Sequence, residues 1–188
     1  MGNRLTEESI ELRKQLQEQL QHPGYRALVE DPSMVAILGS MDDHDYGANN
    51  GDITYAHRHL TGANFVDFLQ KSKTNTDLTI MMKRAQAGKG VYGVKVFDFS
   101  RPNGAELLSD EEAGIDVTLE QIPKMVQLSN QSVAVFLLDV RSNKTPWNSG
   151  FGKYFVNYEG DFLGDEQLEW FALALSRWKA SVNVIVQG

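Results

Sequence analysis

Hydrophobic residues follow two different spacings along the chain. Leu12, Leu16 and Leu20 recur at every fourth residue, which predicts an amphipathic surface helix. Elsewhere, short runs of apolar and β-branched residues are typical of buried strands. The predicted strands cover residues 34–38, 91–99, 133–138 and 182–186, and the further predicted helices cover residues 25–30, 63–71, 79–87 and 165–178. Buried strands separated by helices predict a layered α/β fold with a sheet covered on both faces.

A polar segment rich in Asp, Asn and Gly follows the first predicted strand. It spans residues 41–52, and ionisable residues stand in a row within it, namely Asp42, Asp43, His44 and Asp45. A second polar segment, residues 139–143, follows the predicted strand at 133–138. Ligands of α/β proteins bind at the carboxyl ends of strands, so these two segments are the predicted site.

Three carboxylates so close in sequence repel one another unless a cation or protons offset their charge. Carboxylate and imidazole donors suit a divalent or trivalent metal ion that polarises a phosphoryl group or acidifies bound water. Exposed turns that use Asp and Asn as caps have the same composition, and the residues leave that alternative open. A calcium loop of the EF-hand type fails on spacing, because from Asp43 its glycine would fall on Ala48.

Composition narrows the classes of function. The 188 residues are 41% hydrophobic, which fits one domain with a core. With 18 basic and 25 acidic side chains the formal net charge is −7, and there is no long Lys/Arg cluster, so no nucleic-acid surface is predicted. The chain contains no cysteine, which excludes disulfides and thiolate metal sites within it. No apolar run approaches the roughly 18–20 residues that a membrane-spanning helix needs.

Three segments carry unusual motifs in a fixed order. They are residues 41–51 (MDDHDYGANNG), 137–141 (LLDVR) and 163–170 (LGDEQLEW). In the same order they resemble the Trp-Asp-Asp-His-Asp-Tyr-Gly motif, the Leu-Leu-Asp-Thr-Arg strand end and the Leu-Gly-Glu-Glu-Gln helix start of the PhoD-like alkaline phosphatases and phosphodiesterases. That family belongs to the metallophosphoesterase superfamily. The resemblance extends over most of the chain, with Met41 in place of the family's Trp.

The resemblance implies hydrolysis of phosphate mono- or diesters by metal-bound water. It implies a four-layer αββα fold, of which this chain would form a part. The implied cofactor is a divalent or trivalent metal ion (Ca, Fe, Zn or Mn). The implied partner is a small phosphate-ester substrate.

The resemblance also implies a role for each residue of the Asp-rich segment. Asp43 takes the position of a metal ligand, and His44 takes the position that faces the phosphate. Asp45 would orient the His44 ring and raise its basicity, so that His44 stabilises the transition state or protonates the leaving group. Asp42 would add to the field at the metal.

Arg141 ends the second motif and has two open roles. It is placed to hold a substrate oxyanion through its guanidinium group. An ion pair with Asp139 or another acid is the structural alternative.

The chain also departs from the family pattern. Family members carry a Gly-Asp-x-x-Tyr metal segment before the Asp-rich motif, and further Asp and His ligands after the strand that here ends at Gly188. Residues 1–188 are therefore expected to form one partial domain, without the metal-ligand segments that precede and follow it. Residues 100–131 are expected to be an insertion between two strands.

Three functions remain open at this point. The first is a metal-dependent phosphatase in the complete protein, and the second is a non-catalytic homologue that acts as a binding or interaction module. The third is a calcium-binding module built on the Asp-rich segment.

Other conspicuous residues favour structural roles. Trp147, Trp170 and Trp178 are expected in the core rather than in a stacking surface. His57 and His59 alternate as strand ligands would, but a solvated pair in a loop is the favoured interpretation.

Overall fold

The computed structural model describes residues 7–73, 78–100 and 126–188. The helices in these ranges are α1 (Glu7–Gln21), α2 (Pro23–Glu30), α3 (Asp43–Tyr46), α4 (Arg58–Ser72), α5 (Thr79–Gln86) and α6 (Gly164–Arg177). The strands are β1 (Gly93–Asp98), β2 (Val126–Gln127), β3 (Ser132–Leu138), β4 (Asn148–Gly150), β5 (Lys153–Phe155), β6 (Trp178–Lys179) and β7 (Val182–Gln187). No helix among these is long and apolar enough to cross a membrane.

A three-stranded mixed sheet in the order β1-β3-β7 forms the centre. Strand β1 runs antiparallel to β3, with Gly93 opposite Leu137. Strand β3 runs parallel to β7, with Val133 opposite Val182. Two strand pairs, β2 with β6 and β4 with β5, lie outside this sheet. The predicted mixture of helices and strands is therefore confirmed as an α/β protein with a small mixed sheet.

Strand β3 separates two hydrophobic clusters. Leu137 packs with the buried residues of α4 and α5, including Phe65 and Met81. Ala134, Phe136 and Leu138 lie on the opposite face of the strand, where they pack with α6. Side chains of a strand alternate between its two faces, so a nearly continuous apolar run indicates cover on both. The interpretation of residues 133–138 as a buried strand is confirmed.

The other predicted strands differ in outcome. Strand β1 lies within the predicted range 91–99 and is largely buried. Residues 182–186 form a strand as predicted, but Val182 and Ile185 are exposed, because β7 is the edge of the described sheet. The prediction that this strand is buried is wrong for the described residues.

The predicted strand at residues 34–38 is also wrong, because the segment is not assigned to any strand or helix. Ile37 and Leu38 are partly buried against the cluster of α4 and α5. An apolar run reports burial, whereas a strand also needs a hydrogen-bonded neighbour. Here helices supply the burial.

The five predicted helices are found, with some boundaries shifted, and the structure adds α3, in the polar segment where no helix was predicted. Helix α4 begins at Arg58 rather than at residue 63, so His57 precedes a helix and His59 lies within it. Apolar spacing detects a helix only where one face is buried, and the polar first turn of α4 gave no such signal. The predicted insertion at residues 100–131 lies mostly outside the described residues.

The carboxyl end of β3 is fixed by the fully buried Asp139. Its Oδ2 accepts hydrogen bonds from Val91 N at 2.7 Å and from Ser142 Oγ at 2.6 Å. Its Oδ1 accepts from the backbone N–H groups of Arg141 at 2.8 Å and Ser142 at 2.9 Å. These bonds hold the loop before β1 against the turn after β3.

The peptide groups of Asp139 are held by the buried Gln167 of α6. Gln167 Oε1 accepts from Asp139 N, and Gln167 Nε2 donates to Asp139 O, both at 2.8 Å. The side-chain amide of Gln167 thus gives the N–H and the C=O of Asp139 the hydrogen-bond partners that a neighbouring strand would otherwise supply. Helix α6 is thereby tied to the end of β3.

We expect Asp139→Ala to lower the free energy of unfolding by ~4 kcal/mol or more, because buried N–H donors lose their acceptor. Urea denaturation followed by circular dichroism measures this change. Asp67→Ala is the matched control, since Asp67 forms an exposed pair with Lys71 at 2.6 Å. The control should change stability by less than about 1 kcal/mol. Similar losses in both variants would contradict the assigned role of Asp139.

Candidate functional site

The Asp-rich segment folds into a single helical turn, α3. Asp42 caps it through a side-chain oxygen that accepts from Asp43 N at 2.7 Å. Asp45 completes a capping box by accepting from Asp42 N at 3.2 Å. The turn ends at Gly47, whose φ of 92° is the left-handed conformation that glycine adopts without strain.

This turn lies at the carboxyl ends of the parallel strands β3 and β7. Met41 touches Gly188, which follows β7. Ser40 Oγ donates a hydrogen bond to the carbonyl oxygen of Leu138, the last residue of β3. The two segments singled out from the sequence, residues 41–52 and 139–143, therefore meet at one edge of the sheet.

An ion pair joins the two segments. Arg141 Nη2 lies 2.6 Å from Asp42 Oδ1, and the Arg141 side chain is 17% exposed. The Arg141 Nε atom is buried and has no hydrogen-bond partner among the described residues. The guanidinium group thus pairs with Asp42, while Asp139 binds the backbone of Arg141 rather than its side chain.

Asp43 and His44 sit beside this ion pair. Asp43 Oδ2 accepts from Asn50 N at 3.0 Å. This hydrogen bond, and after it the positive charges of Arg141 and protonated His44, lower the pKa of Asp43 below its usual 3.8, although partial burial opposes the shift. Asp43 is therefore a carboxylate at neutral pH. The His44 side chain is 85% exposed, with Nε2 at 3.9 Å from Asp43 Oδ1.

These residues do not form a complete metal site. Across residues 7–73, 78–100 and 126–188, no group of three or more His, Asp or Glu side chains is arranged to hold a metal ion. The carboxylates of Asp42 and Asp45 already serve the ion pair and the capping box. Asp43, which the resemblance gives as a metal ligand, directs one carboxylate oxygen to Asn50 N.

Tyr46 fixes the far side of the turn, and the sequence analysis did not single it out. The side chain is fully buried, and its hydroxyl donates to the carbonyl oxygen of Asp52 at 2.9 Å. Its ring packs against that of Tyr55 at 5.3 Å between centroids. Burial raises the pKa of Tyr46 far above its usual 10.0, so the hydroxyl stays a donor. The position of an aromatic residue directly after the acidic cluster was the available signal.

Lys144 is the second residue that sequence reasoning missed. It is only 3% exposed, and its Nζ has no hydrogen-bond partner among the residues that the structure describes. The ammonium group lies 5.4 Å from the centre of the Trp147 ring. Burial lowers the pKa of Lys144, and the charge of Asp52 partly opposes this shift. A lysine in a polar segment gives no sequence signal of burial.

The tryptophans follow the sequence prediction in part. Trp170 and Trp178 are buried in the cluster beneath α6, as predicted. Trp147 is 43% exposed, so its prediction as a core residue is wrong. The exposed ring of Trp147 instead borders a cavity beside α3.

We expect Lys144→Met to raise the free energy of unfolding at pH 7 by about 1 kcal/mol, because a buried ammonium without a hydrogen bond is replaced by an apolar side chain. The pKa of Lys144 is lower in the folded protein than its ordinary value of 10.5, so the folded protein releases the proton first as pH rises. The free-energy cost of the buried charge therefore declines as pH rises towards 10.5. The advantage of methionine should therefore shrink with rising pH.

Urea denaturation at pH 7 and pH 10 measures this dependence. Lys14→Met is the control, since Lys14 is 62% exposed on α1, and its effect should be small at both values. A loss of stability in Lys144→Met at pH 7 that does not change with pH would refute the interpretation.

A scan of the chain against protein-family models found no match, and searches of curated proteins and of solved structures found none either. The resemblance of residues 41–51, 137–141 and 163–170 to the PhoD-like family thus stays a prediction from those motifs. What the chain does has to be inferred from the motifs and from the geometry of the site.

Proposed function

We propose that this chain carries part of the active site of a metal-dependent hydrolase of phosphate mono- or diesters, of the PhoD-like type. One observation supports this most: the three motif segments converge. Asp42 and Arg141, which are 99 residues apart in sequence, form the 2.6 Å ion pair between the first and second segments. Gln167 of the third segment holds Asp139 of the second. Motifs that matched the family by chance would have no reason to meet at one sheet edge.

The proposal gives Asp43 and His44 the chemical roles. Asp43 is ionised and would hold a metal ion through its carboxylate, and that ion would supply Lewis acidity and an activated water. His44 is exposed beside it and can donate a proton to a leaving-group oxygen or stabilise developing charge. Asp45 holds the turn that carries His44, through its hydrogen bond to Asp42 N.

Arg141 serves the substrate in this proposal. Its guanidinium group is paired with the exposed Asp42 carboxylate, and a phosphoryl oxygen can take the place of that carboxylate. The second role, an ion pair that positions α3, is the one that operates without substrate.

The proposed fold is one part of a four-layer αββα arrangement. The exposed apolar side chains of β7, among them Val182, Val184 and Ile185, support it, because such an edge strand is suited to further packing. The described residues contain no group of three metal-ligating side chains, so the proposal places further ligands outside them.

A non-catalytic binding module is the second candidate, and a specific observation favours it. The carboxylates of Asp42 and Asp45 are satisfied by partners within the chain, and no three-ligand group occurs in the described ranges. A turn stabilised in this way does not need a metal ion to offset its charge.

The test is hydrolysis of p-nitrophenyl phosphate and bis(p-nitrophenyl) phosphate by the complete protein that carries this chain, with added Ca, Fe, Zn or Mn and with a chelator. We expect turnover that depends on metal and that falls at least about 100-fold in His44→Ala, because the variant lacks the proton donor. Asp43→Asn should weaken metal binding measured by calorimetry. His22→Ala is the matched control, since His22 is exposed between α1 and α2.

The other outcomes separate the alternatives. A folded complete protein that neither binds metal nor hydrolyses either ester would refute the hydrolase and leave the binding module. Calcium binding without turnover would instead indicate the calcium-binding module.

A further inference from the structure

An open cavity of about 800 Å³ lies beside the candidate site. One wall is formed by residues 48–57, which follow α3, and the other by residues between 146 and 154, in and around β4 and β5. The walls are linked by a hydrogen bond from Ile53 N to the carbonyl oxygen of Lys144, at 3.0 Å. The volume falls within the range of roughly 300–1,000 Å³ that is usual for small-molecule sites.

The cavity shares residues with the turn that carries Asp43 and His44. Asn50 lines the cavity, and its backbone N–H donates to Asp43 Oδ2 at 3.0 Å. Ala48 and Asn49 line the cavity on one side and border a second, smaller cavity that includes His44 on the other. The larger cavity and the cavity that includes His44 therefore adjoin at Ala48 and Asn49.

Aromatic rings line both walls of the cavity, and other groups of the protein contact these rings. Trp147 offers a half-exposed ring whose other contact is the buried ammonium of Lys144, at 5.4 Å. Tyr55 lies between the rings of Tyr46, at 5.3 Å, and His57, at 5.7 Å. Rings that are already held lose little conformational freedom when a ligand binds. Flat aromatic groups stack well on such surfaces.

The charge of the cavity differs from that of a phosphate site. Among the described residues that line it there is one carboxylate, Asp52, and neither lysine nor arginine. The described lining has no lysine or arginine to neutralise an anion, whereas a neutral ring gains stacking, and the side-chain amides and hydroxyls of Asn49, Thr54 and Ser149 offer hydrogen bonds. The cavity is therefore suited to the organic part of a ligand and not to its phosphate.

We infer that this cavity binds the organic group of the phosphate ester and selects a flat, uncharged aromatic group, with Trp147 as the main stacking surface. The inference rests on the proposed function for the phosphate end of the ligand. The aromatic end rests on the cavity itself, so the two can be tested separately.

The experiment measures equilibrium binding to the complete protein by calorimetry, once with the metal ion added at a temperature low enough to slow turnover, and once with a chelator present. The probes are phenyl phosphate, which carries both groups, glycerol 2-phosphate, which carries the phosphate without a ring, and benzyl alcohol, which carries the ring without a phosphate. We expect phenyl phosphate to bind about tenfold more tightly than glycerol 2-phosphate, as for a ring stacked on one aromatic side chain. Trp147→Ala should remove this preference, and Trp147→Phe should keep most of it.

Tyr158→Ala is the matched control, because Tyr158 is 92% exposed and does not line the cavity. It should bind all three probes as the unchanged chain does. Circular dichroism of each variant checks that it is folded. Because Trp170 and Trp178 are buried, quenching of intrinsic fluorescence by phenyl phosphate reports mainly on Trp147 and gives an independent reading.

Each failure has its own signature. Equal binding of phenyl phosphate and glycerol 2-phosphate, both weakened by His44→Ala, would overturn the aromatic cavity and leave the proposed function intact. Binding of benzyl alcohol that depends on Trp147, with no gain from the phosphate, would support the aromatic cavity and overturn the phosphate-ester function. Absence of binding by all three probes would overturn both.

Discussion

A carboxyl group without access to water has to find its hydrogen-bond donors inside the protein, and Asp139 finds them in two stretches of chain. The donors are Val91 before β1 and Arg141 and Ser142 in the turn after β3, while Gln167 of α6 holds the Asp139 peptide groups. Removing any of these contacts leaves buried polar groups unpaired. The end of β3 is consequently held in one position.

The turn after β3 positions side chains of the candidate site. The Arg141 side chain extends from this turn to α3 and pairs with Asp42, and the Lys144 ammonium group lies against the ring of Trp147. The same turn accepts the hydrogen bond from Ile53, which holds the opposite wall of the cavity. The candidate catalytic turn and the aromatic cavity therefore depend on one short segment, and a change at Asp139 is felt in both.

Groups within the protein offset the repulsion among the carboxylates of α3. Asp42 is neutralised by Arg141, Asp45 caps the turn, and Asp43 accepts from Asn50 N. The helix N-terminus further favours negative charge in its first turn. A metal ion bound at Asp43 would join an arrangement that is already stable, which fits a site assembled from several segments rather than a loop that folds around its metal.

The sequence by itself determined the elements whose signal is local. Periodicity located α1 and the apolar part of α4, and the apolar runs located β1 and β3. The motif residues also identified the two polar segments, residues 41–52 and 139–143, that meet at the candidate site. These features depend on neighbours within a few positions along the chain, where helix and strand periodicities are expressed.

The tertiary structure decided what depends on residues far apart in sequence. The pairing of Arg141 with Asp42 spans 99 residues, and nothing local chooses it over an alternative acid. The burial of Lys144 and the exposure of Trp147 reverse the usual preferences of these residue types. The run at residues 34–38 is apolar because helices cover it, not because it joins the sheet. Hydrophobicity along a chain records that a residue is buried, whereas the identity of its neighbours is set only when distant segments pack together.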